Sequence, residues 1–384
     1  MRILFLTPFL PDPGASHGGG SYIGALADGL RDGSELGLLH LHHAGQDQLP
    51  DSKWHWQASA PYLGAPTGLS HRLRMLWQWR SRPLLAAKYW QPELVAQAKR
   101  AIREFRPDIA LVELAQMAQY LPALRGLPTI LTDHEAGRPA NASTGLGKLA
   151  DRRDGRLWER HVKRYYQQAS LVQAVTSEDA SELTRQTGRE VLVRPPTLPI
   201  PNEACQPGQA PPCALFLGDY RHGPNPEAAT RIAKDIWPMV RATQPDAQLL
   251  LAGPNETPIR DLAELPGVQV LGYVEDLTEL LSRARVVLAP LWSGRGFRVK
   301  NATALAYGLP IVTNGLGSRG CRAPSPACSV AESPEELAQA TVPHLASAEF
   351  AAKAGREARV WAATQYAASS VARLQLDRIE KLLR

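Results

Sequence analysis

Cysteine is scarce in this chain, and the spacing of the few cysteines argues against a zinc site built from paired thiolates. The 384 residues include four cysteines, Cys205, Cys213, Cys321 and Cys328, and none of them forms a CxxC pair. No pair of histidines stands nearby at the spacing that zinc sites show. We interpret the cysteines as free thiols, although the spacing of Cys321 and Cys328 also allows one disulfide bond.

Long apolar runs are also missing. No segment approaches the roughly 20 apolar residues that cross a bilayer. The N-terminal run MRILFLTPFL is too short for a signal peptide and lacks a small-residue cleavage pattern, so it predicts a first buried strand. These absences favour a cytoplasmic protein and leave open a peripheral attachment at the inner face of the membrane.

The excess of one charge is small. Lysine and arginine number 43, aspartate and glutamate 37, and the formal net charge is +6. A dedicated nucleic-acid binder carries a larger excess, and no DNA- or RNA-binding module is recognisable, so we expect no nucleic-acid partner. The mild excess fits an anionic substrate, an anionic membrane surface, or neither.

Short apolar runs alternate with longer helical patterns, which predicts an α/β fold with about five parallel strands in each half. The predicted strands are Ile3–Thr7, Leu36–His42, Ile109–Val112, Thr129–Thr132 and Leu171–Val175 in the first half, and Cys213–Gly218, Gln248–Ala252, Val268–Leu271, Val286–Pro290 and Ile311–Thr313 in the second. The predicted helices of the second half include Asn225–Thr243, Leu277–Ser282 and Ala348–Leu383. The stretch Arg194–Cys213 contains seven prolines and no periodicity, as linkers do. We therefore predict one Rossmann-like domain over residues 1–194, a linker over 195–212 and a second Rossmann-like domain over 213–360. A last helix, residues 361–384, could pack back on the first domain. Ligands of such sheets bind beyond the carboxyl ends of the strands, so two domains would face a central cleft.

The most informative stretch is a glycine-rich turn in the second half. A buried strand, Val286–Pro290, leads into a turn with Gly294 and Gly296, and an Ala-rich helix follows at once. Arg298 and Lys300 stand at the start of that helix. Free amides and the positive end of a helix dipole favour an anion there, and two cations suit a diphosphate better than a single phosphate.

Several motifs, in order and spacing, resemble one enzyme family over nearly the whole chain. In the second half they are LFLGDYRHGPNPEAATRI, LLLAGPN, VQVLGYVEDLTELLSRARVVLAPL and GFRVKNATALAYGLPIVTNGLGSRG, and in the first half they include HGGGSYIGALADGL, VELAQMAQYLP and LTDHEAG. The chain resembles the retaining GT-B glycosyltransferases of the family-4 type, also called group 1 glycosyl transferases. The resemblance implies a nucleotide-sugar donor on the second domain, an acceptor on the first, and no metal or other cofactor.

In the first domain the resemblance points to three places. Gly18, Gly19 and Gly20 would form a loop before a helix at Ser21–Leu30 and offer amides to the donor; a flexible turn is the alternative. His134 would face the transferred sugar, or else it is a loop histidine in a satisfied hydrogen-bond network. Glu113 would bind acceptor hydroxyls or cap the next helix.

In the second domain the resemblance also exposes a departure. The family carries two glutamates, which bind the sugar and the ribose, at the positions of Arg295 and Thr303. We expect weaker or rearranged ribose recognition from Thr303, and Arg295 could compensate near the diphosphate or read an acidic sugar. Gly296 and Phe297 belong to the same donor-binding turn.

Two further loops have family counterparts. Arg221 would point toward the diphosphate, although the match there is inexact. Tyr273 and Val274 lie where the nucleobase packs, and the preferred base does not follow from the sequence.

Residues 71–90 mix tryptophans with arginines and one lysine. An interfacial helix on anionic lipid has this composition, and it would suit a glycolipid or lipopolysaccharide acceptor. The alternative is a helix whose Met75, Leu76 and Trp79 form a core stripe.

These expectations describe a glycosyltransferase in cell-envelope polysaccharide or glycolipid assembly, with His134, Arg298 and Lys300 as its catalytic residues. Two alternatives remain: a non-catalytic GT-B protein that binds nucleotide or glycan as a partner or scaffold, and a sugar-nucleotide epimerase.

Overall fold

The computed structural model describes residues 1–13, 18–42, 53–62, 68–139, 142–294 and 296–384. These residues form two compact units. Unit 1 comprises Met1–Thr197 and Ala368–Arg384, and unit 2 comprises Leu198–Ala367. The division therefore falls inside the predicted linker, most of which belongs to unit 2.

Unit 1 is built on a seven-stranded parallel sheet with the order β3-β2-β1-β4-β5-β6-β7. The strands are β1 (Arg2–Thr7), β2 (Glu35–His42), β3 (Trp56–Pro61), β4 (Ile109–Glu113), β5 (Thr129–Asp133), β6 (Leu171–Ala174) and β7 (Leu192–Val193). The helices are α1 (Gly18–Leu30), α2 (Leu69–Gln78), α3 (Leu84–Lys88), α4 (Pro92–Glu104), α5 (Lys148–Tyr165), α6 (Ser177–Thr187) and the C-terminal α13 (Ala368–Leu383), with 3-10 helices at Ala115–Leu124 and Tyr166–Gln168.

Unit 2 is built on a six-stranded parallel sheet with the order β10-β9-β8-β11-β12-β13. The strands are β8 (Cys213–Leu217), β9 (Gln248–Ala252), β10 (Val268–Gly272), β11 (Val286–Leu288), β12 (Ile311–Thr313) and β13 (Cys328–Val330). The helices are α7 (Pro224–Arg231), α8 (Trp237–Thr243), α9 (Leu277–Ser282), α10 (Val299–Ala306), α11 (Pro334–Ala346) and α12 (Ala348–Tyr366), with a 3-10 helix at Thr257–Glu264. Within the described ranges, no helix combines the length and the apolarity that a membrane crossing needs.

Strand β1 shows why the sheets are recognisable from sequence. Ile3 and Phe5 belong to the core on one face, with α1 and α13, and Leu4 and Leu6 belong to the core on the other face. All four side chains are fully buried. A strand covered on both faces needs a continuous apolar run, and such runs are easy to see in a sequence.

The strand order reverses at the first strand of each unit. Strand β1 pairs with β2 on one side and β4 on the other, and β8 pairs with β9 and β11 in the same way. Ligands of open α/β sheets bind at such switch points, beyond the carboxyl ends of the strands. The fold therefore places a candidate site at the end of β8 and β11, and another at the end of β1 and β4.

Three strands escape the sequence prediction, and all three are edge strands. Strands β3 and β7 lie at the two edges of the first sheet, and β13 lies at one edge of the second. Their residues are mostly half-buried rather than buried. An edge strand is covered less completely, so its sequence lacks the continuous apolar run that marks a central strand.

Two predicted helices are divided in the structure. The pattern Asn225–Thr243 contains Pro238, and a π-helical turn, Ile232–Ile236, separates α7 from α8 just before it. Proline supplies no amide to the turn before it, and a wider turn accommodates its ring. The pattern Ala348–Leu383 breaks at Ala367, whose backbone is extended, and no proline or glycine marks that break.

The C-terminal helix α13 packs on α1 in unit 1. A Cβ at Gly29 would lie 2.8 Å from the carbonyl oxygen of Ala368 and 3.0 Å from the Cβ of Ala372. Val371 and Ile379 are buried in the same core as the first sheet. All four cysteines are free thiols and are buried.

Candidate active site

A cavity of about 520 Å³ lies at the carboxyl ends of the central strands of unit 2. Its wall is formed by the loops after β8, β9, β10 and β11 and by the first turns of α10. The residues predicted from the sequence that line it are Tyr273, Val274, Phe297, Arg298, Lys300 and Thr303. Arg298 and Lys300 therefore line one concave site, whereas Gly294 and Gly296 of the turn do not line it.

Lys300 is the most unusual charge in this cavity. Its Nζ donates to the carbonyl oxygen of Leu217, at 2.9 Å, and to Oδ1 of Asn225, at 3.0 Å. The ammonium also lies 4.0 Å from the centroid of the Phe216 ring. Burial, and then the positive charge of Arg298, lower the pKa of Lys300 to about 7. These contacts are neutral or cationic, so a bound anion would be a strongly favoured partner for this ammonium.

Arg298 donates hydrogen bonds to the backbone of the glycine-rich turn and of the loop after β12. Its Nε donates to the carbonyl oxygen of Leu316, at 3.0 Å, and one terminal nitrogen donates to the carbonyl oxygen of Gly294, at 3.1 Å. The side chain is 7 % exposed and still lines the cavity. Its charge thus lies fixed beside the N-terminus of α10, where the helix dipole is also positive.

The floor of the cavity depends on glycine. Gly253 has a φ of 138°, and a Cβ there would lie 1.9 Å from the carbonyl oxygen of Gly218. The loops after β8 and β9 approach each other too closely for any side chain at this position.

Replacing Gly253 with alanine should therefore lower the free energy of unfolding by more than about 2 kcal/mol, through the clash and the unfavourable φ together. Urea unfolding followed by tryptophan fluorescence would measure it. Gly223→Ala is the matched control, because a Cβ at Gly223 meets nothing within 4 Å. Equal stability of the two variants would contradict the close approach of the two loops.

The remaining predicted residues of the turn differ in their placement. Phe297 packs edge to face on Tyr366, with ring centroids 5.6 Å apart. Thr303 faces the cavity one helical turn after Lys300, and Gly296, with a φ of 75°, does not line the cavity. Arg295 lies outside the described residues.

Arg221 does not line the cavity and is engaged elsewhere. One of its terminal nitrogens lies 2.8 Å from Oδ2 of Asp219 in an exposed ion pair. Asp219 also accepts from the amide of Asn255, and these bonds, that from Arg221 first, hold its pKa well below the usual value. The neighbouring His222 lines the cavity instead, and sequence reasoning missed it along with Asn225, which holds Lys300.

In unit 1 the structure brings His134 and Glu113 together and adds Arg194. Two terminal nitrogens of Arg194 donate to the two carboxylate oxygens of Glu113, at 2.7 and 2.9 Å. Nε2 of His134 lies 3.1 Å from Oε2 of the same carboxylate. Burial alone would raise the pKa of Glu113, but the charge of Arg194 and the hydrogen bond with His134 lower it below the usual value. Glu113 is fully buried and does not cap the following 3-10 helix.

The loop that carries His134 is held by Asp133. This buried carboxylate accepts from the backbone amides of Glu135 and Gly137, at 2.9 and 2.6 Å, and from the hydroxyl of Tyr166, at 2.5 Å. Burial raises the pKa of Asp133. His134 thus sits on a rigid turn at the end of β5, and its ring is held by a second carboxylate.

The three glycines near the N-terminus do not form a loop before the helix. Helix α1 begins at Gly18, so Gly18, Gly19 and Gly20 are its first turn, and the predicted helix start at Ser21 is wrong. Glycine is a poor helix former, which is why the pattern alone favours a loop. A contact of these residues with the donor stays a prediction.

Over the described ranges of both units, no group of three or more His, Cys, Asp or Glu side chains could hold a metal ion.

A protein-family model and several solved structures are similar to this chain. A family model described as "Glycosyl transferases group 1" matches residues 211–347, which include the whole cavity. No curated protein sequence matches the chain at a significant level. Sucrose-phosphate synthase from Thermosynechococcus elongatus has a similar structure, with 16% identity, a TM-score of 0.68 and coverage of 100% of this chain and 99% of that one.

Two further structures are similar at low identity. HepE from Anabaena, solved with UDP and glucose, has 15% identity, a TM-score of 0.64 and 99% coverage of both chains. A TarM variant from S. aureus, solved with fondaparinux, alpha-GlcNAc-glycerol and UDP, has 12% identity, a TM-score of 0.52 and coverage of 76% of this chain and 59% of that one. Residues 211–347 thus match the group 1 glycosyl transferase family model, and the chain has the two Rossmann-like α/β domains of the GT-B fold.

Proposed function

We propose that this protein transfers a sugar from a nucleoside diphosphate to a hydroxyl acceptor, with retention of configuration and without a metal ion. The observation that carries the proposal is the cavity in unit 2, where Lys300 and Arg298 stand at the N-terminus of α10. A half-buried ammonium that has no anionic contact among the described residues, beside a helix N-terminus, is suited to a diphosphate. A volume of about 520 Å³ lies in the usual range of small-ligand sites.

The donor we propose is a UDP-sugar. HepE, a protein of similar fold, was solved with UDP, with UDP and glucose, and with UDP-glucose. In this chain Tyr273 and Val274 would pack the base at the mouth of the cavity, and Thr303 would bond a ribose hydroxyl in place of a carboxylate.

The chemistry requires little from a protein base. As the bond between the anomeric carbon and the diphosphate oxygen breaks, negative charge grows on the leaving diphosphate, where Lys300 and Arg298 stabilise it. The acceptor hydroxyl forms the new bond to the same carbon, and its proton passes to the departing phosphate oxygen. We assign the acceptor to unit 1, where His134 is oriented by Glu113. A glycan or glycolipid of cell-envelope assembly is the acceptor class that we propose.

Calorimetric titration with UDP, GDP, ADP and dTDP, in the presence of a chelator, tests the donor site. We expect micromolar binding of UDP and transfer from a UDP-sugar once a hydroxyl acceptor is supplied. If none of the four nucleotides binds, the proposal is contradicted.

The pH dependence of UDP binding should follow Lys300. Because its pKa is about 7 in the free protein and a diphosphate favours the charged form, the dissociation constant should rise above pH 7 by up to about tenfold per pH unit. The stability of the free protein should change with pH in the opposite direction from the affinity for UDP. The unfolded chain keeps this lysine charged up to its ordinary pKa of 10.5, so stability should increase with pH between about 7 and 10.5.

Two variants isolate this titration from that of the nucleotide itself. Lys300→Met should show only the pH dependence of the ligand. Asn225→Asp places a carboxylate beside Nζ, which should raise the pKa of Lys300 and move the loss of affinity to higher pH. Identical pH profiles for the wild type and Lys300→Met would contradict the role of this lysine.

The replacement of a glutamate by Thr303 favours a second candidate, a non-catalytic GT-B protein that binds nucleotide or glycan as a partner. It predicts UDP binding without turnover on any acceptor. An epimerase would instead convert the sugar nucleotide when no acceptor is present.

A further inference from the structure

Unit 1 carries an apolar patch on its surface. Leu73, Leu76 and Trp77 of α2 and Leu146 and Leu149 at the start of α5 are 53–80 % exposed. Among the described residues of unit 1, every large apolar side chain that is more than half exposed belongs to this set. Scattered exposed apolar residues are normal, but such a concentration marks an interaction surface.

The two parts of the apolar patch lie on neighbouring helices. Nε1 of Trp79, at the end of α2, donates to Oδ1 of Asp154 in α5, at 2.8 Å. The guanidinium of Arg153 lies 4.4 Å from the centroid of the same Trp79 ring. Helix α2 is thus docked on α5 through its C-terminal end, while Leu73, Leu76 and Trp77, at the i, i+3 and i+4 positions of one face, point outward.

Positive charge continues directly from the apolar patch. Leu149, Arg152, Arg153 and Arg156 have the i, i+3, i+4, i+7 spacing that shares one helix face. Between Lys148 and Arg164 there are seven cations and three acids. One of those acids, Asp154, is fully buried, so it adds little negative charge to the surface.

We propose that this surface docks unit 1 on a bilayer that contains anionic phospholipid. The apolar patch would lie at the level of the headgroups, and the arginines of α5 would contact the lipid phosphates. The proposal goes beyond sugar transfer, since it requires neither donor nor acceptor. A second copy of the chain fits poorly, because a symmetric contact would bring two positive faces together.

Co-sedimentation with vesicles of phosphatidylcholine and phosphatidylglycerol, at low and high salt, tests the docking. The protein should bind these vesicles, bind pure phosphatidylcholine vesicles much less, and lose affinity as salt is added. The double variant Trp77→Ser/Leu149→Ser should bind on the order of tenfold more weakly. Val360→Ser is the matched control, since Val360 is similarly exposed but lies on α12 of unit 2.

The test separates docking from misfolding and from the donor site. Both variants should keep the melting temperature and nucleotide affinity of the wild type, because the substituted side chains are exposed and none of them lines the cavity. The proposal is overturned if the protein does not bind anionic vesicles, if the double variant binds as well as Val360→Ser, or if pure phosphatidylcholine vesicles bind equally. Concentration-dependent dimerisation that the double variant abolishes would assign the surface to a second copy instead.

Discussion

Lys300→Met should reduce sugar transfer by on the order of 10²- to 10³-fold, which is the usual effect of removing one preorganised electrostatic contact from a developing anion. The methionine side chain fills a similar volume against the Phe216 ring, so the fold should tolerate it. Stability should change little, because the variant loses a half-buried charge together with its two hydrogen bonds to Leu217 and Asn225. Initial rates with a UDP-sugar at saturating acceptor measure the effect.

Two further variants show whether the loss of activity is specific to the ammonium group of Lys300. Lys300→Arg keeps the charge but not the compact ammonium on the aromatic ring, so it should retain only part of the activity. Lys234→Met removes an exposed lysine from the same unit and should behave as the wild type. Wild-type turnover by Lys300→Met would contradict the proposed mechanism. If the wild-type protein binds UDP but transfers no sugar to any acceptor, the non-catalytic alternative is favoured.

The elements around Lys300 could be predicted because their signals are local. Strands β9 and β12 match their predicted bounds, since each is a short apolar run between polar or turn residues, and α9 does so because Asp276 caps it. The glycine-rich turn, the cations and the start of α10 lie within about ten residues of one another. The anion site is therefore one continuous pattern in the sequence.

The partners of the site residues could not be predicted, because they are distant in sequence. Asn225 lies 75 residues before Lys300, and Arg194 lies 81 residues after Glu113. Only the fold of each sheet brings these pairs together. Arg194 stands at the start of a proline-rich stretch, and that composition suggests a linker rather than a buried ion pair.

Helix α2 shows a different limit of the sequence. Its periodicity identifies a helix with two unlike faces but does not say which face is buried. The expectation that Leu76 lies in a core stripe with Met75 and Trp79 is wrong for Leu76, which is exposed, whereas Met75 is buried. Contact with α5 through Trp79 decides the orientation, and that contact joins residues 75 positions apart.

Arg194→Met should destabilise unit 1 by about 3–5 kcal/mol at neutral pH, because it leaves the Glu113 carboxylate buried with only His134 beside it. The size of the loss should depend on pH. In the wild type the pKa of Glu113 is lowered, so the pair stabilises the fold above the ordinary pKa of 4.5 and that contribution disappears as the pH falls.

In the Arg194→Met variant burial is no longer opposed by the guanidinium, so the pKa of Glu113 should rise and its protonation should relieve the strain in acid. The difference in unfolding free energy between wild type and variant should therefore be largest near pH 7 and shrink toward pH 5, as urea titrations across that range would show. Adding Glu113→Gln to Arg194→Met removes the stranded charge and should recover part of the stability at pH 7. A loss that is the same at both pH values, or no recovery in the double variant, would mean that Arg194 stabilises unit 1 by packing and not through Glu113.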